Sequence, residues 1–449
     1  MSYLVIGTGR SGIAAAGLLA SEGKEVILYD DKEDIDKNAI SEKLDSSDNI
    51  TIYGGSIPDE PAAAVEEVVV SPGVPLDCDT VMYWKNRGVK IIGEVELAYE
   101  HEKGVVAAIT GTNGKTTTTS LVGGIMKKKY SKVCVAGNIG YPYTETVLNT
   151  DADSCSVLEV SSFQLETICS FRPAVSAILN ITPDHLNRHH TMENYIEAKL
   201  SIAANQTSDD VIVLNYEDEI LRAAADRLTP EVIFFSSARE LEKGVFLRGG
   251  DRIVARLGGG ERLICNVNEL MLPGIHNYEN VMAAVAMSYA MGVSFDDIHD
   301  AVIEFKSVEH RIEYVCETDG VIYYNDSKGT NPDAAIKGIQ AMSRPTYLIG
   351  GGYDKDADFT EWIEAFDGKV KKLVLIGATA DQIAGTCDKA GFSDYIKLDS
   401  LKAAVDYCKD NAVSGDAVLL SPACASWDMF KSYEERGILF KQYVTGEGA

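Results

Sequence analysis

Short apolar runs alternate with segments of helical periodicity along most of this 449-residue chain. Runs of four to six β-branched or aliphatic residues are typical of buried strands, and intervening helical segments favour parallel pairing of those strands. The pattern predicts an α/β fold. Three segments that could each begin an α/β unit with a phosphate-binding turn divide the chain into three predicted domains. These domains cover residues 1–93, 94–306 and 307–449.

The predicted strands fall into one group per domain. The first group is YLVIG, EVILYD, EVVVS and VKIIG; the second is VVAAIT, SVLEV, AVSAILN and DVIVLN; the third is RPTYLIGG, KKLVLIG and DAVLLSP. The tail of the central domain, GVFLRGGDRIVARLGGGERL, alternates like antiparallel strands. The following HNYENVMAAVAMSYAMG has the pattern of a helix.

Composition narrows the classes of partner. The chain has 41 Lys and Arg against 68 Asp and Glu, a net charge of −27, so nucleic acid and anionic membranes are disfavoured. We find no signal-peptide pattern and no apolar run near the roughly 20 residues of a membrane span. The nine cysteines include no C-x-x-C pair, which is typical of a reducing compartment. We expect a cytoplasmic protein.

The stretch AAITGTNGKTTTTSL has the order strand, turn, helix of a phosphate-binding loop. It departs from the pattern G-x-x-x-x-G-K-[ST], because Ile109 stands where that pattern has its first glycine. Gly111 and Gly114 would allow close backbone approach, and Lys115 would supply a cation. The Thr116 hydroxyl could bind magnesium. The alternative is a plain glycine turn.

Three polar residues near this loop are candidate partners. Glu159 follows a β-branched run, His185 follows the strand AVSAILN, and Lys199 lies in a helical segment. A nucleotide–magnesium site needs an acid at the end of a neighbouring strand, and Glu159 has that position. From the residues alone, each also has a simpler interpretation: an edge-strand acid facing solvent, a polar loop histidine and an exposed helix lysine.

The first domain carries a second glycine-rich turn. In GTGRSG, Gly7, Gly9 and Gly12 lie between a predicted strand and helix, and Asp30 ends the next strand. This matches the dinucleotide-binding fingerprint in sequence and context, so we predict a nucleotide-like ligand. An NAD site and a UDP site both need a phosphate cradle and a ribose acceptor, so the ligand stays open between them.

Nine segments together resemble the Mur ligase family along nearly the whole chain: GTNGKTT, LEVSSFQLE, TPDHL, YIEAKLSIA, GIHNYEN, EHRIE, NDSKGTNPDA, GGYDK and SPACASWDMF. LEVSSFQLE and SPACASWDMF resemble the members that add D-glutamate to UDP-N-acetylmuramoyl-L-alanine during peptidoglycan synthesis. The family's ATP loop is the shorter G-T-N-G-K-[ST], without the distant glycine. The resemblance implies an ATP-dependent amide ligase that acts through an acyl phosphate.

The resemblance also implies the roles of the domains: a Rossmann-like N-terminal domain for UDP, a central P-loop ATPase-like domain and a Rossmann-like C-terminal domain for the amino acid. Two magnesium ions would be bound by Thr116, Glu159, His185 and Lys199, the last as a carbamylated lysine. Lys115, His185, Lys199 and Lys328 would be catalytic. ATP would contact Gly111, Thr112, Asn113, Gly114, Lys115, Thr116, Thr117, Asn277, Asn280, Arg311 and Asp326.

The substrate positions are carried over in the same way. UDP would be lined by Arg10, Ser11, Asp30, Asp31, Lys32, Ser71, Gly73 and Asn138, and Ser161 and Gln164 are further substrate positions. D-glutamate would contact Thr330, Lys355, Ser426 and Tyr433. Two residues depart from the family pattern: Tyr433 stands where some relatives have phenylalanine, and Trp427 replaces a leucine. A structural interpretation is also open, in which Ser426 caps a helix and Trp427 packs in the core.

Three other functions stay open. One is an ATP-dependent Mur or folylpolyglutamate-type ligase for a different amino acid. Another is an NAD-dependent oxidoreductase built on GTGRSG, which would leave GTNGKTT, HNYEN and NDSKGTN without a role. The third is a nucleotide-binding protein without ligase activity. For the ligase we expect a monomer.

Overall fold

The computed structural model describes residues 2–44, 48–306, 308–353 and 357–446. The chain forms two compact units. One comprises Met1–Cys265 and Glu279–Val302, and the other comprises Asn266–Tyr278 and Ile303–Ala449. The first unit contains two β-sheets and the second contains one.

The first sheet has five parallel strands in the order β3-β2-β1-β4-β5. The strand order reverses at β1, and ligands of such sheets bind beyond the carboxyl ends of the strands at this reversal. The strands are β1 (Ser2–Ile6), β2 (Glu25–Asp30), β3 (Ile50–Gly54), β4 (Val65–Val70) and β5 (Lys90–Gly93). The helices are α1 (Arg10–Ser21), α2 (Lys37–Ser41), α3 (Asp59–Ala63), α4 (Asp79–Asn86) and α5 (Glu94–Tyr99).

The middle sheet has nine strands in the order β14-β13-β12-β11-β10-β9-β6-β8-β7. Pairing is parallel from β7 to β12 and antiparallel between β12 and β13. The strands are β6 (Val105–Thr110), β7 (Lys132–Gly137), β8 (Ser154–Glu159), β9 (Val175–Ile178), β10 (Val211–Asn215), β11 (Glu231–Ser236), β12 (Gly244–Arg248), β13 (Arg252–Leu257) and β14 (Gly260–Asn266).

Eight α-helices between residues 115 and 304 accompany this sheet. They are α6 (Lys115–Met126), α7 (Tyr143–Thr146), α8 (Ser162–Leu165), α9 (Leu186–His189), α10 (Met192–Leu200), α11 (Glu219–Ala224), α12 (Ile275–Ala290) and α13 (Phe295–Glu304). Strand β6 lies between β8 and β9, so the loops after these three strands meet at one edge of the sheet.

The third sheet has six strands in the order β15-β16-β20-β17-β18-β19, parallel except for the β15–β16 hairpin. The strands are β15 (Glu313–Thr318), β16 (Val321–Asn325), β17 (Thr346–Gly350), β18 (Val370–Leu375), β19 (Tyr395–Lys397) and β20 (Ala417–Leu420). The helices are α14 (Pro332–Gln340), α15 (Thr360–Glu364), α16 (Ala380–Ala390), α17 (Leu401–Asn411) and α18 (Tyr433–Thr445).

Every predicted strand and the predicted antiparallel tail are confirmed. Their apolar side chains are buried because parallel strands flanked by helices are covered on both faces. The sequence pattern did not predict β3, β7, β11, β15, β16 and β19. In the described parts of the chain, no helix is long and apolar enough to cross a membrane. All nine cysteines are free thiols.

Candidate active site

The phosphate-binding loop is a four-residue turn between β6 and α6. Gly111 has φ +148° and Gly114 has φ +85°, and both angles favour glycine. A Cβ atom on Gly114 would lie 2.2 Å from the Asn280 Oδ1 atom, so this position also needs glycine for space. Ile109 is still inside β6, paired with Glu159 of β8. The turn therefore begins after the strand and needs no glycine at position 109.

Residues that follow β9 hold this loop in place. The Thr112 backbone N–H donates to the Asn180 carbonyl oxygen at 2.9 Å, and the Thr112 hydroxyl donates to the Thr182 carbonyl oxygen at 3.1 Å. The Asn113 N–H donates to the Asn180 side-chain oxygen at 2.8 Å. The Tyr195 hydroxyl lies 3.0 Å from the Thr112 hydroxyl. The loop is thus fixed at two successive residues.

Two lysines contact the loop carbonyls. The Lys115 Nζ donates to the Gly111 and Thr112 carbonyl oxygens at 2.8 and 2.9 Å, and the Lys199 Nζ donates to the Gly111 oxygen at 2.9 Å. Lys199 is 2% exposed. Burial and, to a smaller extent, the charge of Lys115 lower its pKa to about 7, although Asp184 opposes this shift. Lys199 is therefore not an exposed helix lysine.

Glu159 ends β8 beside the loop and is 2% exposed, so it is not an edge-strand acid facing solvent. Its Oε1 accepts a hydrogen bond from the Asn138 amide at 2.8 Å. Its Oε2 is buried without a hydrogen-bond partner among the described residues. Asn138, a predicted UDP residue, therefore contacts the predicted metal ligand.

A magnesium ion fits these residues. Magnesium prefers oxygen ligands and usually binds one or two protein groups together with phosphate oxygens and water. Glu159 offers an unpaired oxygen, and Thr116 lies buried in the first turn of α6 with a hydroxyl group. No group of three or more His, Cys, Asp and Glu side chains in the described chain could hold a metal by itself. An ion here would therefore depend on nucleotide phosphates as well.

His185 lies directly before α9 with a left-handed backbone, φ +53°. Its side chain is half exposed, with Nε2 3.4 Å from Asp184 Oδ2 and the ring centre 5.0 Å from that of Phe163. The geometry leaves it accessible, as a ligand residue or as polar surface. Its role stays a prediction.

His189, four residues later, is a site residue that the sequence did not predict. It is 3% exposed, with Nε2 2.9 Å from the Ser162 hydroxyl and Nδ1 3.2 Å from Glu166 Oε1. Burial lowers its pKa, and nearby positive charges, first that of Arg188, lower it further. His189 thus connects the α8 segment to α9. Its spacing of four residues from His185 within the TPDHLNRHH segment is a signal that could have found it.

The glycine-rich turn of the first sheet is closely packed. A Cβ atom on Gly12 would lie 1.8 Å from the Gly7 carbonyl oxygen and 2.7 Å from the Ser71 hydroxyl. Asp30 accepts hydrogen bonds from the Thr8 N–H at 3.1 Å and hydroxyl at 2.7 Å. Burial raises the pKa of Asp30, but these hydrogen bonds outweigh burial and the net pKa is below its usual value. A carboxylate therefore shapes the predicted UDP loop.

The other predicted UDP residues lie at the same edge of this sheet. Arg10 begins α1 and donates to the Gly140 carbonyl oxygen at 2.6 Å, two residues after Asn138. The structure thereby brings Arg10 and Asn138 to the same loop. The rest of this group flanks the turns: Ser11 follows Arg10 in α1, Asp31 accepts from Thr80 at 2.8 Å, Lys32 donates its N–H to Asp30 at 3.2 Å, and Gly73 lies in the turn after β4.

Ser161 and Gln164, two predicted substrate residues, form a capping box at the start of α8, just after Glu159.

Predicted ATP residues lie in and near α6 and α12. Asn280 accepts a hydrogen bond from the Thr118 hydroxyl at 3.3 Å, and Thr117 lies in the first turn of α6. Asn277 donates to the Pro273 carbonyl oxygen at 2.7 Å.

In the second unit, Asp326 follows β16 and is 6% exposed. Its Oδ2 accepts from the Ser421 hydroxyl at 2.6 Å, and burial raises its pKa to about 7. The Lys328 Nζ lies 5.2 Å from the centre of the Tyr433 ring. The Thr330 N–H donates to the Lys328 carbonyl oxygen at 2.8 Å. These predicted residues form one group at the carboxyl ends of the strands.

The C-terminal segment corrects one interpretation. Trp427 is 63% exposed, so it does not pack in the core, and Ser432 rather than Ser426 caps α18. Ser426 is buried, and Tyr433 begins α18. Arg311 lies just before β15, where its N–H donates to the Val308 carbonyl oxygen. Lys355, a predicted D-glutamate residue, lies outside the described residues.

Three family models match the chain. The Mur ligase MurD-like N-terminal domain matches residues 1–93, the Mur ligase middle domain matches residues 109–288, and the Mur ligase glutamate ligase domain matches residues 310–424. These matches confirm the resemblance found in the sequence. They also support the three α/β domains, although the domain bounds stay a prediction.

Full-length relatives and solved structures agree with these models. UDP-N-acetylmuramoylalanine--D-glutamate ligases of Lachnoclostridium phytofermentans and Lachnospira eligens are 57% and 52% identical, with 98% and 99% of this chain and 97% and 98% of the relatives covered. The crystal structure of the UDP-N-acetylmuramate-alanine ligase from Thermotoga maritima is similar over 100% of both chains, with a TM-score of 0.61 at 18% identity. A MurF structure from Acinetobacter baumannii has a TM-score of 0.60 at 16% identity over 98% of this chain and 93% of its own. The structures share the fold, and the sequence identities show that this chain belongs to the Mur ligase family.

Proposed function

We propose that this protein is the ATP-dependent ligase that joins D-glutamate to UDP-N-acetylmuramoyl-L-alanine in peptidoglycan synthesis. The observation that carries the proposal is the buried pair Glu159 and Lys199 beside a phosphate-binding loop. A nucleotide site with a buried acid and a lysine of lowered pKa suits phosphoryl transfer. The names of the full-length relatives support the choice of substrates.

The reaction must first activate a carboxylate, which is a poor electrophile. A carboxylate oxygen of the L-alanine end attacks the γ-phosphorus of ATP, and the bond to the β,γ-bridging oxygen breaks. ADP leaves, and an acyl phosphate remains. The amine of D-glutamate then attacks the acyl carbon, loses a proton to solvent, and phosphate leaves from the tetrahedral intermediate. The substrate supplies its own nucleophile, so the protein acts through positioning and electrostatics.

The loop stabilises the charge that develops on the transferred phosphoryl group. Lys115 carries a positive charge at the start of α6, where the first backbone N–H groups of the helix also point toward the loop. In the structure its Nζ binds the Gly111 and Thr112 carbonyl oxygens. We propose that it exchanges these oxygens for phosphate oxygens when ATP binds. Asn277, Asn280, Arg311, Asp326 and Lys328 are proposed to contact ATP or its phosphates.

Lys199 has the chemistry for carbamylation. Because its pKa is near 7, much of the amine is neutral at physiological pH and can form an N–C bond with carbon dioxide, releasing one proton. The resulting carbamate is an anion and an oxygen ligand. Thr116 and Glu159 would hold one magnesium ion, and His185 and the carbamate a second. Bound magnesium supplies positive charge that offsets the charge of the phosphates.

The remaining predicted positions complete the proposal. The residues around the turns of the first sheet, from Arg10 to Gly73 together with Asn138, bind the UDP group. Thr330, Lys355, Ser426 and Tyr433 bind D-glutamate. The N-terminal, central and C-terminal domains, bounded at residues 93 and 306, take UDP, ATP and the amino acid respectively. We expect a cytoplasmic monomer.

The test is phosphate release with ATP, magnesium and UDP-N-acetylmuramoyl-L-alanine, with D-glutamate, L-glutamate, L-lysine or meso-diaminopimelate as acceptor. We expect release with D-glutamate alone, and a product whose mass matches the amide. Phosphate release with a different amino acid would show that the protein is a ligase with another specificity. Release with none of the four amino acids would refute the proposal.

Variants of Lys115 and Lys199 test the catalytic role of the loop and the proposed carbamate. Lys115→Ala should abolish phosphate release, whereas Lys127→Ala, at the exposed far end of the same helix, should retain it. Lys199→Ala should be inactive and partly restored by short carboxylic acids, which can replace the carbamate. Full activity of Lys199→Ala without additive would disprove the carbamate.

A further inference from the structure

A small cavity lies in the first unit between the turn after β4 and helix α8. It is lined by Ser71 and Val74 of the turn after β4, by Phe163 and Gln164 of α8, and by Glu94 and Arg188. The volume open to the centre of a water molecule is about 10 Å³. This is room for about one water and for no larger group of a substrate. A side chain that meets the substrate only inside this cavity would therefore have to act on it through other residues.

Glu94 is a buried acid of this cavity that the proposed reaction does not use. It begins α5 and is 1% exposed. Its Oε1 accepts a hydrogen bond from the Gln164 Nε2 at 2.6 Å, and its Oε2 has no partner among the described residues. Burial raises its pKa to about 7, which the Gln164 hydrogen bond opposes. Burying a carboxyl group with one unpaired oxygen costs free energy, so core packing does not explain Glu94.

The hydrogen bonds fix which way the Gln164 amide points. The Ser161 backbone N–H can only donate, and it donates to the Gln164 Oε1 at 2.8 Å. The Ser161 hydroxyl donates to the same oxygen at 3.0 Å. The amide nitrogen must therefore point to Glu94, which accepts from it. A reversed amide would place an NH₂ group against the Ser161 backbone N–H and its oxygen against the Glu94 carboxyl group, so it would lose the contact with that N–H.

We propose that Glu94 is a positioning residue of the ligase reaction: by holding the Gln164 amide in one orientation it fixes Ser161 for the UDP-linked substrate. The inference rests on the proposed function, in which Ser161 and Gln164 contact that substrate. Ser161 is two residues after Glu159, so the chain of contacts from Glu94 ends beside the nucleotide loop. Glu94 itself comes directly after β5, the last strand of the first sheet.

The experiment compares Glu94→Leu with Glu94→Gln in steady-state assays. Leucine removes the acceptor at similar volume, and we expect the KM for UDP-N-acetylmuramoyl-L-alanine to rise at least tenfold while the KM for ATP changes less than twofold. Glutamine keeps an acceptor oxygen for Gln164, and we expect its KM to stay within threefold of wild type. If Glu94→Leu does not fold, Glu94→Asp replaces it, because its shorter side chain withdraws the oxygens from Gln164.

Glu96 provides a matched control. It is also buried on α5, but its carboxylate accepts from the backbone N–H groups of Cys169, Ser170 and Phe171, away from Gln164. Glu96→Gln should lower the melting temperature without a selective rise in the KM for the UDP-linked substrate. A general loss of packing would change both glutamate variants in the same way.

A double-mutant cycle isolates the route through Gln164. In a Gln164→Leu background, Glu94→Leu should cause no further change in KM, because the group it positions is gone. The inference would be overturned if the two substitutions had additive effects on KM, or if Glu94→Leu raised the KM values for ATP and the UDP-linked substrate equally. It would also be overturned if the KM values of Glu94→Leu stayed within twofold of wild type. If the wild-type protein forms no amide product, the proposed function fails; if wild type is active, these outcomes judge Glu94 alone.

Discussion

Lys199 makes the stability of this protein depend on pH in a predictable direction. Its pKa is about 7 in the folded chain, against 10.5 for an ordinary lysine, because it is buried and lies near the charge of Lys115. Between these two values the unfolded chain binds a proton that the folded chain does not. The free energy of unfolding must therefore rise with pH through this window.

The magnitude follows from the same two values. One proton contributes about 1.4 kcal/mol per pH unit, so between about pH 7.5 and 9.5 the stability of wild type should rise by roughly 2–3 kcal/mol relative to Lys199→Met. Methionine is unbranched and one atom shorter than lysine, and it does not titrate. The measurement is urea unfolding followed by circular dichroism, in buffers free of carbon dioxide and magnesium so that no carbamate forms.

Lys115→Met is the control for the cause of the shift. Removing the nearby charge should raise the pKa of Lys199, so the rise in stability should begin at a higher pH than in wild type. If wild type and Lys199→Met differ by a constant amount from pH 7.5 to 9.5, Lys199 does not have a lowered pKa. The basis for carbamylation would then be lost.

Three further substitutions test other parts of the structure. Gly12→Ala should weaken binding of UDP-N-acetylmuramoyl-L-alanine at least 100-fold by calorimetry, because its Cβ would lie 1.8 Å from the Gly7 carbonyl oxygen. Glu159→Gln should keep the fold and raise at least tenfold the magnesium concentration for half-maximal phosphate release, because it removes the charge of the unpaired oxygen. Trp362→Phe should cost less than about 1.5 kcal/mol of unfolding free energy, and Trp362→Ala about 3–5 kcal/mol, because the buried indole N–H has no partner among the described residues.

For each of these substitutions, one result would contradict the prediction. Gly17 lies in the same helix as Gly12, and beyond its neighbours in α1 no heavy atom of the described residues lies within 4 Å of an added Cβ, so Gly17→Ala should bind normally. Equal binding by both alanine variants would refute the packing at Gly12. An unchanged magnesium requirement would remove Glu159 from the metal site. A cost of Trp362→Phe well above about 1.5 kcal/mol would contradict an indole N–H without a partner.

Much of the fold could be predicted because buried strands leave a local signal. The run VVAAIT is apolar at each of its first five positions, and β6 is buried along nearly its whole length. The missed β3 is mostly half exposed, so ITIYG shows no clear apolar run. The missed β15–β16 hairpin did leave a signal: Asp319 and Gly320, both with positive φ, lie between two β-branched runs.

The candidate site also has features that local sequence predicts and features that it does not. The glycines of both turns follow from local geometry, whereas the environments of Glu159 and Lys199 depend on contacts distant in sequence. Lys199 meets Gly111 across 88 residues, and Glu94 meets Gln164 across 70. No local pattern separates a buried lysine or glutamate from an exposed one. The family resemblance supplied the predicted roles of Glu159 and Lys199, and the structure supplied the contact made by Glu94.

The way the phosphate-binding loop is held has a consequence for inhibitors. Thr112 and Asn113 are both tied by their backbone N–H groups to Asn180, and the Thr112 hydroxyl bonds to Thr182. A compound that competes with ATP at this turn would face residues whose side chains and backbone also maintain its shape. A resistance substitution at Thr112 would have to weaken the drug without releasing the loop from these contacts. Escape by point mutation should therefore arise at other surfaces of the binding pocket before it arises here.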